Sequence, residues 1–287
     1  MKRAVVAAVA AALVLAACGG GGGKKTASSS SSSTIAAGDT STSAAAASTT
    51  VAGGATATTK PAGTTATTKP ATVNGQPASN YTPPAGSTAA KPAAPGTYHY
   101  DNQSTGMNTF GPPPAVSPLI VDAPQGTRQH ATNDMTSGGK GSITETTLDF
   151  KPEGVYLVEI KLTTKTAFGN QTLDFIGSPP PLAAPTGVAP GQHVDFALTS
   201  NPPGTTIQVH IDLVRMETIT IGGQPVNTMV IHQVATLSGN FKGTQTADSW
   251  VSPQYDLFVK THAVADITSP VAAHTDETST LEKLTPG

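Results

Sequence analysis

Between Ile207 and Leu213 the chain alternates without a break: Ile207, Val209, Ile211 and Leu213 are apolar, and Gln208, His210 and Asp212 between them are polar. A repeat of two sends successive side chains to opposite faces of an extended strand, so one face is built for a core and the other for water. Tyr156, Val158, Ile160 and Leu162, interleaved with Glu159 and Lys161, repeat the arrangement. Both runs are rich in β-branched residues, which fit a pleated and half-buried surface. Further strand candidates cover residues 97–101, 128–132, 142–150, 172–176, 193–199, 226–237, 245–251, 257–266 and 275–284. Nowhere does an apolar period near 3.6 persist over three turns, so helices are not expected.

Turn chemistry falls between these runs, at Lys151-Pro-Glu-Gly154, Gly222-Gly223 and Ser238-Gly-Asn240. Connections that short make neighbouring strands antiparallel. Residues 97–287 are therefore expected to form one all-β domain, a curved or partly closed antiparallel sheet of open-barrel type. The clusters Pro112–Pro114 and Pro179–Pro181 belong between strands, because proline cannot donate to a ladder.

Residues 18–96 have a different composition, almost wholly Ala, Thr, Ser, Gly, Pro and Lys. Such a segment buries too little apolar surface to offset the entropy of ordering it, so it is expected to be a disordered linker. Thr56-Ala-Thr-Thr-Lys-Pro61 recurs as Thr65-Ala-Thr-Thr-Lys-Pro70, a low-complexity echo and no structural repeat. Charge divides the chain at the same place. Lys24, Lys25, Lys60, Lys69 and Lys91 face only Asp39 in the linker, whereas the domain carries nine Lys and Arg against seventeen Asp and Glu. A basic linker suits an anionic surface, and an acidic domain argues against nucleic acid as a partner.

Met1-Lys2-Arg3 precedes a run of Ala, Val and Leu that ends in Leu15-Ala16-Ala17-Cys18. The run is shorter than the roughly 20 apolar residues a membrane span requires, and its order of charged, apolar and small-residue regions is that of an export signal. Leu15-Ala16-Ala17-Cys18 resembles the bacterial lipobox. The resemblance implies cleavage of residues 1–17 between Ala17 and Cys18, and a diacylglyceryl group on the Cys18 thiol. Two buried acyl chains are enough for stable attachment. The expected location is thus the outer, extracytoplasmic face of the cell membrane. Cys18 is the only cysteine, which excludes an intramolecular disulfide and any cysteine-based metal or redox site.

A second resemblance rests on Leu213-Val-Arg215-Met-Glu217-Thr-Ile-Thr-Ile-Gly222-Gly, Thr228-Met-Val230, Thr246-Ala-Asp-Ser-Trp250-Val-Ser-Pro253 and Leu257-Phe-Val-Lys260. Together these resemble a pattern in secreted bacterial proteins similar to the LolA-type open-barrel superfamily. The resemblance implies a concave apolar face, although the lid helices of LolA-like carriers have no counterpart here. Arg215 and Glu217 stand two apart and so are expected on the face that carries Ile211, Leu213 and Ile219, either mutually paired or at a rim. Trp250 is expected to anchor a core or a rim.

Gly-x-Ser-x-Gly is absent beyond the signal, so no catalytic residue is assigned and no enzyme is expected. The seven histidines stand singly, with no His-x-His and no His-Glu-x-x-His. Neither a metal nor a cofactor is expected, and His210 and Asp212 are read as an exposed polar face. Two functions stay open. One is a binding module for an apolar or amphiphilic envelope ligand such as a lipid or glycolipid. The other is a structural lipoprotein that presents loops to wall polymer or to proteins. Side chains such as Tyr156, Phe196 and Phe258 decide between them, according to whether they plug the interior.

Overall fold

The computed structural model describes residues 71–105, 113–166, 169–269 and 272–287. The expected signal segment, Ala17, Cys18, the expected linker as far as residue 70, and Pro112 lie outside the described residues. Two short strands come first, β1 (Thr72–Val73) and β2 (Gln76–Pro77). They are followed by β3 (Gly96–Thr105), β4 (Val116–Val121), β5 (Arg128–Ser137), β6 (Lys140–Lys151), β7 (Gly154–Thr166) and β8 (Gly169–Ile176). The chain continues through β9 (Leu182–Pro185), β10 (His193–Asn201), β11 (Thr205–Ile221), β12 (Gln224–Gly239), β13 (Lys242–Ser252), β14 (Leu257–Ser269) and β15 (Ala273–Leu281).

The strands run β11-β12-β13-β14-β15-β3-β4-β5-β6-β7-β8-β10, and β10 pairs back onto β11 along residues 193–199. Twelve antiparallel strands therefore close into a barrel, with the β4–β5 and β8–β10 seams each joined by only three residue pairs. The hairpin turns fall where the glycines predict. Gly222 and Gly223 occupy positive φ of 54° and 80°, the two left-handed positions that a two-residue turn between Ile221 and Gln224 requires.

Alternation assigns the faces. Ile207, Val209, Ile211 and Leu213 point inward, where they meet Phe175, Phe196, Leu198, Leu157, Leu162 and Ile231 in the main core. A second apolar cluster of Tyr98, Val121, Ile221, Val226, Leu257, Leu281 and Leu284 gathers where the β11–β12 hairpin meets the C-terminal segment. Between Leu213 and Arg215 the register with β12 slips, with Leu213 opposite Ile231 and Arg215 opposite Val230. The bulge at Val214 reverses the alternation, as an extra residue must. Arg215 and Glu217 consequently do not share the face of Ile211 and Leu213. They are mutually paired, Nη2 to Oε2 at 2.6 Å, on an exposed stretch.

One strand lies outside the expected candidates, and one expected boundary needs correction. Val116–Val121 forms β4 although it contains Pro118, because β5 lies alongside only from Leu119 onward and Pro118 is opposite His99 of β3 alone. The linker does not extend to Gly96. Val73 is 3% exposed within the main core, Thr72 and Val73 add to β10, and Tyr81 Oη donates to Thr186 O at 2.7 Å. Residues 71–95 are thus a strap bound to the barrel, fixed by a few large side chains and by backbone bonds that composition does not reveal.

At its far end the strap is held by Tyr98, whose Oη donates to Ala94 O at 2.9 Å, and by Gln129. The Gln129 amide accepts from Ala93 N at 2.9 Å and donates to Ala93 O at 2.8 Å, in buried surroundings. Gln129→Ala leaves both backbone groups unpaired, which should cost about 1–3 kcal/mol. Hydrogen exchange at Ala93 should accelerate well before exchange in β6 changes; equal acceleration in both would show that Gln129 supports the barrel and not the strap.

Candidate functional cavity

The barrel is filled unevenly. On the side of β7, β8 and β10–β12 the inward residues are Phe, Leu, Ile and Val, and Phe175, Phe196 and Leu198 have no measurable exposure. Opposite them β5, β6, β14 and β15 send in small or polar groups: Ala131, Asn133, Thr144, Thr146, Thr261, Ala263 and Ser279. Short side chains do not reach across a twelve-stranded barrel, so space is left. A cavity of about 70 Å³ lies among Ala93, Leu119, Val121, Ala131, Leu148, Leu257 and Phe258, and a second of about 40 Å³ among Tyr100, Thr261, Ala263, Glu277 and Ser279. Leu119 and Asn133 line both.

Both chambers are lined mainly by apolar surface; the larger, bordered by Ala93 of the strap, is the outer chamber, and the smaller, which holds Glu277, is the inner one. Glu277 Oε1 and Asn133 Oδ1 are both shielded from solvent, and both lack a hydrogen-bond partner among the described residues. Burial pushes the Glu277 carboxyl up to about 7, with no cation to oppose it. Asp256 lines the outer chamber at a positive φ of 54° in the turn between β13 and β14. Burial raises it to about 7 as well, but there the backbone N–H and the charge of Lys91 in the strap act against the shift. Tyr100, at the wall, donates from Oη to Phe258 O at 2.6 Å, and burial drives its pKa upward.

The three side chains expected to decide the issue all belong to the filled side. Phe196 and Phe258 are buried in the main core. Tyr156 is half-buried and packs against the same core, while its hydroxyl donates to Glu153 Oε1 at 2.9 Å and Lys151 Nζ lies 4.5 Å over its ring. Trp250 is an anchor, packed against the second cluster with Lys260 Nζ 4.7 Å over its ring.

No family model, no curated protein and no solved structure matches this chain. The functional reading therefore rests on the residues themselves.

The outer face of β10–β15 holds a feature that single-residue reading missed. Cross-strand register places His193, Asp212, His232, Asp248 and His262 in one row. His232 Nδ1 lies 2.7 Å from Asp248, His262 Nε2 lies 3.0 Å from Asp276, and His274 Nδ1 lies 2.7 Å from Asp266. His210 bonds Asp195 through Nδ1 at 2.7 Å and approaches Asp212 through Nε2 at 3.3 Å. The Asp195 bond raises the His210 pKa, in spite of desolvation acting the other way. These pairs are half-exposed, and exposed pairs contribute less than about 1 kcal/mol each. Their signal is a His directly opposite an Asp on the neighbouring strand, at His210 and Asp195, His232 and Asp248, and His274 and Asp266, which is legible only once the register is known. Among the described residues no group of three or more His, Cys, Asp or Glu is arranged to hold a metal ion.

Proposed function

We propose that this chain is a lipid-anchored extracytoplasmic lipoprotein whose barrel binds a small amphiphilic molecule of the cell envelope, without catalysing a reaction on it. The observation that carries the reading is the pair of adjoining cavities that share Leu119 and Asn133, lined mainly by apolar surface and holding two unpartnered oxygen acceptors. Binding sites of this kind combine an apolar lining with a few convergent polar groups. The size limits the ligand. A cavity of about 70 Å³ exceeds the roughly 10–15 Å³ one water needs and falls short of the roughly 300 Å³ of drug-sized sites. The ligand is a short molecule or the head of a larger one, and not a whole lipid.

Anchoring follows from Leu15-Ala16-Ala17-Cys18. In this reading residues 1–17 are removed, Cys18 carries the acyl chains, and the linker gives the barrel reach from the membrane. A resemblance to LolA-type carriers accords with a curved antiparallel sheet enclosing a ligand, although this barrel is closed.

The test uses the full chain purified from its own envelope. Native mass spectrometry should show a bound small molecule on part of the population, and Leu119→Trp, which fills both chambers, should remove it. The Cys18→Ala chain should lose the acyl mass and leave the membrane fraction. If no bound species survives gentle ionisation and none of a panel of short amphiphiles binds, the second reading takes over. That reading is a structural lipoprotein that presents its outer face to wall polymer or proteins, and the densely filled β7–β12 side favours it.

A further inference from the structure

The two chambers differ in what they ask of a ligand. Glu277 Oε1 and Asn133 Oδ1 are both acceptors, so a ligand that satisfies them must bring donors. A carboxylate or phosphate ligand would place acceptor against acceptor. We infer that the inner chamber is a site for a primary ammonium group, seated against Glu277 and Asn133, with a short apolar chain lying along Leu119 toward Leu148 and Phe258. This deepens the binding reading above and rests on it.

Three observations lead there. The charged groups around Glu277 are missing where they would be needed. It faces Ser104 of β3 and Ala263 of β14 across its two registers, with Asn102 and Thr261 beside them, and none of these carries a charge. Its burial has a cause for cost and none for compensation, as the carboxyl pushed up to about 7 by desolvation alone records. A carboxyl with that environment is stable as a neutral acid or beside an imported cation. The contrast with Asp256 is internal: that carboxyl lies at the same cavity but is already served by Lys91 of the strap.

An ammonium supplies up to three donors from one point charge, and a hydrogen bond between charged partners is roughly twice as strong as a neutral one. An alcohol supplies a single donor and no charge. The apolar outer chamber, bounded by Leu119, Val121, Ala131 and Leu148, accommodates a few methylenes and excludes water from the pair. An amine of this kind exists free in the envelope or as the head of an aminolipid, and the chemistry recognised is the same.

Calorimetric titration of the full chain at pH 8 with n-butylamine, n-butanol and n-butyrate separates the possibilities. The amine should bind about tenfold or more tightly than the alcohol, and butyrate should not bind. Glu277→Gln, which keeps the volume and removes the charge, should bring amine and alcohol to within about twofold. Equal binding of amine and alcohol by the unaltered chain overturns the ammonium site and leaves the cavity reading intact; no binding of any of the three overturns both. The unaltered chain alone decides the selectivity, so a folding failure of the variant does not remove the test. The Cys18→Ala chain sedimented with phosphatidylcholine vesicles containing octadecylamine, against phosphatidylcholine alone whose ammonium has no N–H, should associate only with the former, in a manner lost on Glu277→Gln, if the amine is lipid-borne, and with neither if it is free.

Discussion

Phe196→Ala is expected to lose about 3–5 kcal/mol of stability, a large share of what a domain of this size possesses. Phe196 has no exposure and lies on β10, where the barrel closes against β11, with Val209 its register partner. Removing the ring deletes its transfer energy and leaves a hole that Phe175, Leu198 and Ile231 can only partly fill. The urea midpoint should fall with the slope of the transition unchanged, the mark of lost stability in an otherwise identical fold. Leu119→Ala provides the contrast. That side chain already borders open space in both chambers, so its neighbours lose fewer contacts and the loss should be less than half as large. Equal losses at the two positions would mean that the β4–β6 side is as tightly packed as the β10–β12 side, and the cavity would then have no part in function.

That asymmetry explains how much of the molecule the sequence discloses. β7 and β11 alternate so regularly that strand, face and core residues follow from spacing alone, and an all-β antiparallel sheet follows from the turns between them. Closure does not, because it depends on the long-range pairing of β10 with β11 and of β15 with β3, which no local signal encodes. The inner face of β5 reads Gln129, Ala131, Asn133 and Met135, and that of β6 includes Thr144 and Thr146. By composition such faces belong to solvent; they point inward here because the opposite wall supplies the large side chains. Glu277 is hidden for the same reason, standing in Thr275-Asp-Glu-Thr-Ser-Thr-Leu281, where every residue before Leu281 is polar. Val214 reversed a face by one extra residue, and Pro118 disguised a strand. The proposed anchor at Cys18 is the opposite case, resting wholly on local sequence and lying outside the described residues.

Glu277→Gln is expected to stabilise the chain in a manner that depends on pH. The carboxyl rises from its ordinary 4.5 to about 7 on folding, so between those values the folded state holds the proton and the unfolded state releases it. Stability therefore falls as pH rises through this window, and the full penalty is present above it. A shift of that size corresponds to at most about 3 kcal/mol. The glutamine variant has no proton to lose. Urea midpoints of the two chains should coincide near pH 4 and separate progressively to pH 8, with the variant the more stable by about 2–3 kcal/mol. Asp256 shifts in the same direction, and the raised His210 pKa also withdraws stability as pH rises, but both are common to the two chains and leave the difference untouched. Saturating n-butylamine should restore most of the gap at pH 8 by giving the carboxylate its missing partner, and should do nothing for the variant. Midpoints that stay parallel from pH 4 to 8 would show that water already reaches Glu277, and a solvated carboxylate gives the inner chamber no reason to prefer a cation.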